Sequence, residues 1–178
     1  MEKEILIEGK VLCDSLNYAL QDIKSWNPYD IFCTDNDGFI HVSNGHTAYK
    51  IDPISYLKPN RSFKLIKALK KKITIEEIKP DDNHEVLNST TIDLLNKTYN
   101  VSPILFDTGG YSSRVFDIDF IDLIRELKGY INLEFLKNAL ALPNANFSIY
   151  QDDSISYRPI IIETKNTKVL IMPLRGYK

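Results

Sequence analysis

Apolar residues recur along this chain with two different periods. Between residues 14 and 24, Leu16, Ala19, Leu20 and Ile23 fall at i, i+3, i+4 and i+7, with Asn17, Gln21, Asp22 and Lys24 between them. That spacing gathers the apolar side chains on one face and predicts an amphipathic helix. The same period predicts helices over residues 62–72 and 132–142. Each is followed by runs that read as strands. After the first come 29–34, 39–43 and 47–51, separated by Asn-Asp-Gly and Ser-Asn-Gly, which supply turn residues that accept a positive φ. After the second come 73–78, 91–95 and 101–106, and after the third 147–150, 157–163 and 169–172. Residues 116–130 read as a strand turning into a helix.

The chain is therefore expected to be α+β, built from three helix-plus-meander units of roughly 60 residues with helices on one face of antiparallel sheets. The expected division is a domain over 1–115 with half-units 1–57 and 58–115, a connector over 116–130, and a half-domain over 131–178. Periodicity alone fits an ordinary α+β domain equally well.

At 178 residues, 43% of them hydrophobic, the chain is long enough to bury a sizeable core. Its longest apolar runs, 160–162 and 169–172, are far short of the roughly 20 residues that span a bilayer. The first residues lack the basic flank and apolar stretch of a secretory signal, so the reading is cytoplasmic, with Cys13 and Cys33 reduced. Neither cysteine nor His41, His46 or His84 stands at metal-ligand spacing, and no cofactor is expected. A net charge of −2 excludes a uniformly basic surface but allows a local basic face.

On the second predicted helix, Lys64, Lys67 and Lys71 fall within about 60° of one another, opposite Leu65, Ile66, Leu69 and Ile73. Arg61 precedes this stripe, and Lys70 and Lys72 flank it. Such a stripe is either a solvated face or a row of ammonium groups for phosphates. In Ser43-Asn44-Gly45-His46-Thr47-Ala48, the glycine suits a turn and the histidine stands at the bend. No serine, cysteine or carboxylate stands at nucleophile-to-base spacing from it, so no catalytic residue is expected. Asp117, Asp119 and Asp122 alternate with Phe116, Ile118 and Phe120 as in a half-buried strand rather than a metal cluster. Gly109-Gly110 lacks the Gly-Lys-Ser/Thr of a phosphate loop.

Several segments, in order, resemble the bacterial DNA polymerase sliding clamp, the ring-shaped beta subunit of DNA polymerase III. Phe39-Ile-His-Val-Ser-Asn-Gly-His-Thr-Ala48 is similar to the strand entering that family's Ala-Thr-Asp-Gly-His-Arg-Leu-Ala motif. Residues 58–69 resemble the proline-led helix of its middle domain, and Leu105-Phe-Asp-Thr-Gly-Gly-Tyr111 the segment before that domain ends, without the usual Phe-Pro-Asp-Tyr. Residues 131–140 and Val169-Leu-Ile-Met-Pro-Leu-Arg175 resemble the last half-domain, which typically ends Met-Pro-Met/Val-Arg. The chain is less than half a clamp's length.

The resemblance implies a non-catalytic, DNA-associated processivity or recruitment factor that forms a homo-oligomer. Sequence-independent contacts to double-stranded DNA would fall to Arg61, Lys64, Lys67, Lys70 and Lys71. A pocket for the clamp-binding peptides of a polymerase or other replication protein would use Ser43, Gly45, His46, Thr47, Ala48, Pro59, Leu170, Met172, Pro173 and Leu174. Thr47 and Ala48 replace the family's usual arginine and leucine. The alternative is a clamp-like interaction module without a ring, which binds replication proteins or competes with a host clamp.

Overall fold

A computed structural model describes residues 4–8, 10–24, 31–69, 72–79, 89–96, 127, 131–142, 148–151 and 159–173. Its strands are β1 (Glu4–Glu8), β2 (Ile31–Thr34), β3 (Ile40–Ser43), β4 (Thr47–Ile51), β5 (Ser62–Leu69), β6 (Lys72–Ile78), β7 (Ser148–Gln151), β8 (Ile160–Glu163) and β9 (Thr167–Ile171). The helices are α1 (Lys10–Lys24), α2 (Ser89–Asn96) and α3 (Leu133–Leu140). The nine strands among the described residues form one antiparallel sheet in the order β1-β6-β5-β2-β3-β4-β9-β8-β7, so the chain is α+β. Strands from 1–115 and from 131–178 thus share one sheet.

Two stretches have the same plan, a helix followed by a three-stranded meander: α1-β2-β3-β4 and α3-β7-β8-β9. Their helices and last two strands align at an offset of 120 residues, the separation of Tyr18 and Asn138, whereas the first strands do not share it: Cys33 lies opposite His41 but Tyr150 opposite Ile161. Ile40 pairs with Ile51 and Ile160 with Ile171; Val42 pairs with Tyr49 and Ile162 with Val169. The β3–β4 turn closes with Asn44 N–H donating to the Thr47 carbonyl at 3.2 Å, and the β8–β9 turn with Thr164 N–H donating to that of Thr167 at 2.8 Å. On the helices, Leu16, Ala19 and Leu20 correspond to Leu136, Ala139 and Leu140, and all six are buried. β4 and β9 pair antiparallel with Tyr49 opposite Val169, which places a local two-fold between them.

Side chains alternate across the sheet. Ile40, Val42, Tyr49, Ile51, Ile160, Ile162, Val169 and Ile171 enter the main core with Leu16, Ala19, Leu20, Phe135, Leu136, Ala139 and Leu140. Each fully buried aliphatic or aromatic side chain there contributes about 1.5–3 kcal/mol. α1 and α3 meet over the two-fold: Tyr18 Oη donates to the Asn138 carbonyl at 2.5 Å, and Asn138 Nδ2 donates to Asp22 Oδ1 at 2.5 Å. Tyr49 Oη reaches up from the sheet to donate to Asp22 Oδ2 at 2.6 Å. Burial pushes the Asp22 carboxyl above its ordinary range, and these two donors hold it part of the way down. α3 opens on an Asn132 cap whose side chain accepts from Glu134 N–H at 2.9 Å.

Three sequence expectations are corrected. Residues 62–72 are not a helix: residues 62–69 are β5, and Lys72 begins β6. The reason is a bulge at Ile66: Leu65 pairs with Ile75 and Lys67 with the next residue, Thr74, leaving Ile66 unpaired. Phe63 and Leu65 face the core ahead of the bulge, and the unpaired Ile66 then breaks the period of two by which a strand is recognised in sequence. With the middle unit lost, the helix-and-meander units number two among the described residues, not three. Residues 91–95 are not a strand but lie in α2, which packs on the opposite face of the sheet from α1 and α3. The expected strand at 101–106, the aspartates of 116–122 and Gly109-Gly110 lie outside the described residues.

Candidate peptide-binding face

Most of the predicted pocket residues come from the end of β3, the turn that follows it, β4, and β9 with the residues just after it. In that turn Gly45 has φ +84°, which only glycine adopts without strain. Asn44 Oδ1 accepts from the N–H groups of His46, at 2.9 Å, and Thr47, at 2.7 Å. Ser43 Oγ donates to the Thr47 carbonyl at 3.2 Å and accepts from Gly45 N–H at 3.0 Å. The bend is therefore fixed by side chain-to-backbone bonds, and His46 projects from it to stack on Phe135 of α3, with ring centroids 5.8 Å apart.

The two ends of the chain's clamp resemblance meet at this bend. Met172 N–H donates to the His46 carbonyl at 2.8 Å, Thr47 pairs with Ile171 and Ala48 with Leu170. The equivalent bond at the other end of the β4·β9 pair runs from Asp52 N–H to the Asn166 carbonyl at 3.1 Å. Ala48, Leu170 and Ile161 form a small apolar patch on the face away from α1 and α3, with Tyr150 and Met172 packed beside it. Leu94 and Leu95 of α2 sit on that patch, and both are buried. Lys50 Nζ donates to Asn96 Oδ1 at 2.5 Å at the end of the helix. Isolated helices shorter than about 12–15 residues are marginal in water. This eight-residue helix therefore depends on its leucine pair, at about 1.5–3 kcal/mol for each side chain buried.

Ser43, Gly45, His46, Thr47, Ala48, Leu170, Met172 and Pro173 are thus neighbours at one end of the β4·β9 pair, with His46 turned toward α3 and Ala48, Leu170 and Met172 toward α2. Pro59 is not. Its loop is tied to the far end of β3, where Thr34 Oγ1 donates to the Lys58 carbonyl at 2.7 Å and Asn60 N–H donates to the Asp35 carbonyl at 3.1 Å. Leu174, Lys70 and Lys71 lie outside the described residues.

The lysine stripe exists on a strand instead of a helix. Lys64 and Lys67 are exposed, and the bulge gives them outward-facing partners, Glu76 and Thr74, so both stand on the face opposite α1. Lys50 and Lys168, paired across β4 and β9, share that face. Carboxylates accompany this charge: Lys168 Nζ is 3.5 Å from Glu163 Oε1, and Arg61 Nε is 3.0 Å from Glu77 Oε1. Among the described residues the helix layer carries no basic excess. α1 holds Lys10 and Lys24 with Asp14 and Asp22, and α3 holds Lys137 with Glu134.

One polar cluster escaped the sequence reading. His41 is 1% exposed and lies with Nε2 2.8 Å from Asp35 Oδ2. Burial pushes the imidazole below its ordinary pKa, although Asp35 pulls it up. Burial would raise Asp35, but His41 and the N–H groups of Phe39 and Asp37 outweigh that and hold the carboxyl low. A neutral ring beside a carboxylate must donate from Nε2, and Nδ1 then faces no hydrogen-bond partner among the described residues. Cys33 pairs with His41 across β2 and β3. Burial, and then Asp35, push its thiol up to about 11, so the two do not make a thiolate–imidazole dyad. The six-residue spacing of Asp35 and His41 was visible in the sequence, but only the tight Asp35–Phe39 turn explains their contact.

Among the described residues no group of three or more potential metal ligands converges, and no helix is long and apolar enough to cross a membrane. No protein-family model, curated protein or solved structure matches this chain.

Proposed function

We propose that this chain is a clamp-like, non-catalytic recruitment module that captures a short peptide segment of a replication protein on its β4·β9 face. The observation that carries the reading is the Met172 N–H to His46 carbonyl bond at 2.8 Å. It joins the Gly-His turn to the Met-Pro end, the two most specific parts of the clamp resemblance, on one sheet. The paired helix-and-meander units are the second support, because the clamp family is built from repeated units of this plan. Charge favours the module without a ring. A DNA channel is lined by basic helices, whereas α1 and α3 are balanced.

A fluorescent clamp-binding peptide from a replicative polymerase, titrated into the wild-type chain and into Met172→Asp, tests this. Saturable binding that the substitution weakens at least about tenfold supports it, a loss of about 1.4 kcal/mol or more. Binding that is absent, or equal in the two folded proteins, overturns it.

A second reading, association with duplex DNA, is favoured by the Ile66 bulge, which sets Lys64 and Lys67 on the face that Lys50 and Lys168 share. If the chain closes a ring of twelve half-units, two units apiece require six copies rather than the four that three units imply.

A further inference from the structure

We infer that α2 is an exchangeable plug: it occupies the apolar seat made by Ala48, Ile161 and Leu170, and a partner segment bearing an adjacent leucine pair displaces it. The inference rests on the reading of the β4·β9 face as a peptide site and names its resting occupant. Three observations carry it. The cluster of Leu94 and Leu95 with Ala48, Ile161 and Leu170 is separate from the main core, so its opening leaves the packing of α1 and α3 intact. α2 is too short to persist without its seat. Three residues beneath and beside it, Ala48, Leu170 and Met172, belong to the pocket that the clamp resemblance implies.

The chemistry of the seat defines the partner. Its floor takes two neighbouring leucine-sized side chains. Lys50 and Lys168 stand on the same face, and Lys50 already grips the Asn96 amide oxygen. A fitting segment therefore carries two adjacent apolar side chains with an acidic or amide group close by, as α2 does with Asp93, Leu94, Leu95 and Asn96. Being tethered, α2 competes at a high effective concentration. An incoming segment must bind more tightly than a free copy of α2, which makes the plug a filter against weak apolar peptides.

The test is a titration of the isotope-labelled full chain with a synthetic peptide of residues 87–98, followed by amide NMR. In the Leu94→Ala/Leu95→Ala variant, the amides of Ala48, Ile161 and Leu170 should shift and saturate. The wild-type chain should need at least about ten times more peptide. Equal response in the two, or no shift in a variant that keeps its Tyr49 and Val169 amides protected, overturns the plug. Hydrogen exchange on the wild-type chain decides the matter without a variant. Leu94 and Leu95 amides should exchange at least about a hundredfold faster than those of Tyr49 and Val169. Equal rates overturn the inference, because α2 would then open only with the whole sheet. The probe is the chain's own helix, so the plug can fail while polymerase-peptide capture stands, and the reverse.

Discussion

Tyr49 on β4 lies opposite Val169 on β9, and the two are equivalent positions of units offset by 120 residues. Tyr49 also ties the sheet to the helix layer through its 2.6 Å hydrogen bond to Asp22. One residue thus joins both units and both layers at the local two-fold.

Tyr49→Phe removes a donor from a buried carboxyl and should destabilise the fold by about 1–3 kcal/mol in urea denaturation near neutral pH. Burial raises the Asp22 pKa. The favourable contribution of its protonated form is therefore complete below the ordinary 3.8 and is lost as pH rises through the elevated folded value. The tyrosine donor matters most where Asp22 is ionised. The penalty should be larger at pH 7 than at pH 3, and a pH-independent penalty contradicts the assignment.

Leu16 and Leu136 are equivalent, and both are 0% exposed. Replacing either with alanine should cost about 2–5 kcal/mol, with the two losses within about 1 kcal/mol of each other. Calorimetry checks this, and a severalfold disparity contradicts equivalent roles for α1 and α3.

His41 and Asp35 should make the protein acid-sensitive. The folded pKa of His41 lies below the ordinary 6.5, so its contribution is present above that value and is lost as pH falls through the folded one. Asp35 adds a second loss, from the ordinary 3.8 down through its own depressed value. Asp35→Ala strips the partner from Nε2 and should cost about 1–3 kcal/mol at neutral pH. It should also abolish the lower of the two acid-dependent losses in denaturation curves.

If the exposed lysines of β5 touch phosphates, Lys64→Glu/Lys67→Glu should weaken duplex DNA binding and lower the salt dependence of log K by about 2. Unchanged affinity and slope would make the stripe a solvated surface.

Much of this architecture was readable in the chain, and the failures have physical causes. α1, α3 and most strands of the two meanders follow from unbroken apolar periods, because each packs one face against the main core. The offset of the two units stood in Leu16-Asn-Tyr-Ala-Leu20 and Leu136-Lys-Asn-Ala-Leu140. Placing a third unit between them hid it. β5 was misread because one extra residue, Ile66, shifts the inward positions out of a period of two. α2 was misread because its β-branched Thr91 and Ile92 favour strands locally, whereas the seat under Leu94 and Leu95 decides its form. Most of the pocket cluster was in view as a motif, but Pro59 was placed by linear analogy, and its loop is bonded elsewhere.

The most direct test of the β4·β9 face is to map the amides that respond when the labelled full chain meets a clamp-binding peptide of a replicative polymerase. Saturable shifts centred on His46, Ala48, Leu170 and Met172 are the expected result. A folded chain whose amides on this face stay unmoved at saturating peptide would contradict the proposed function.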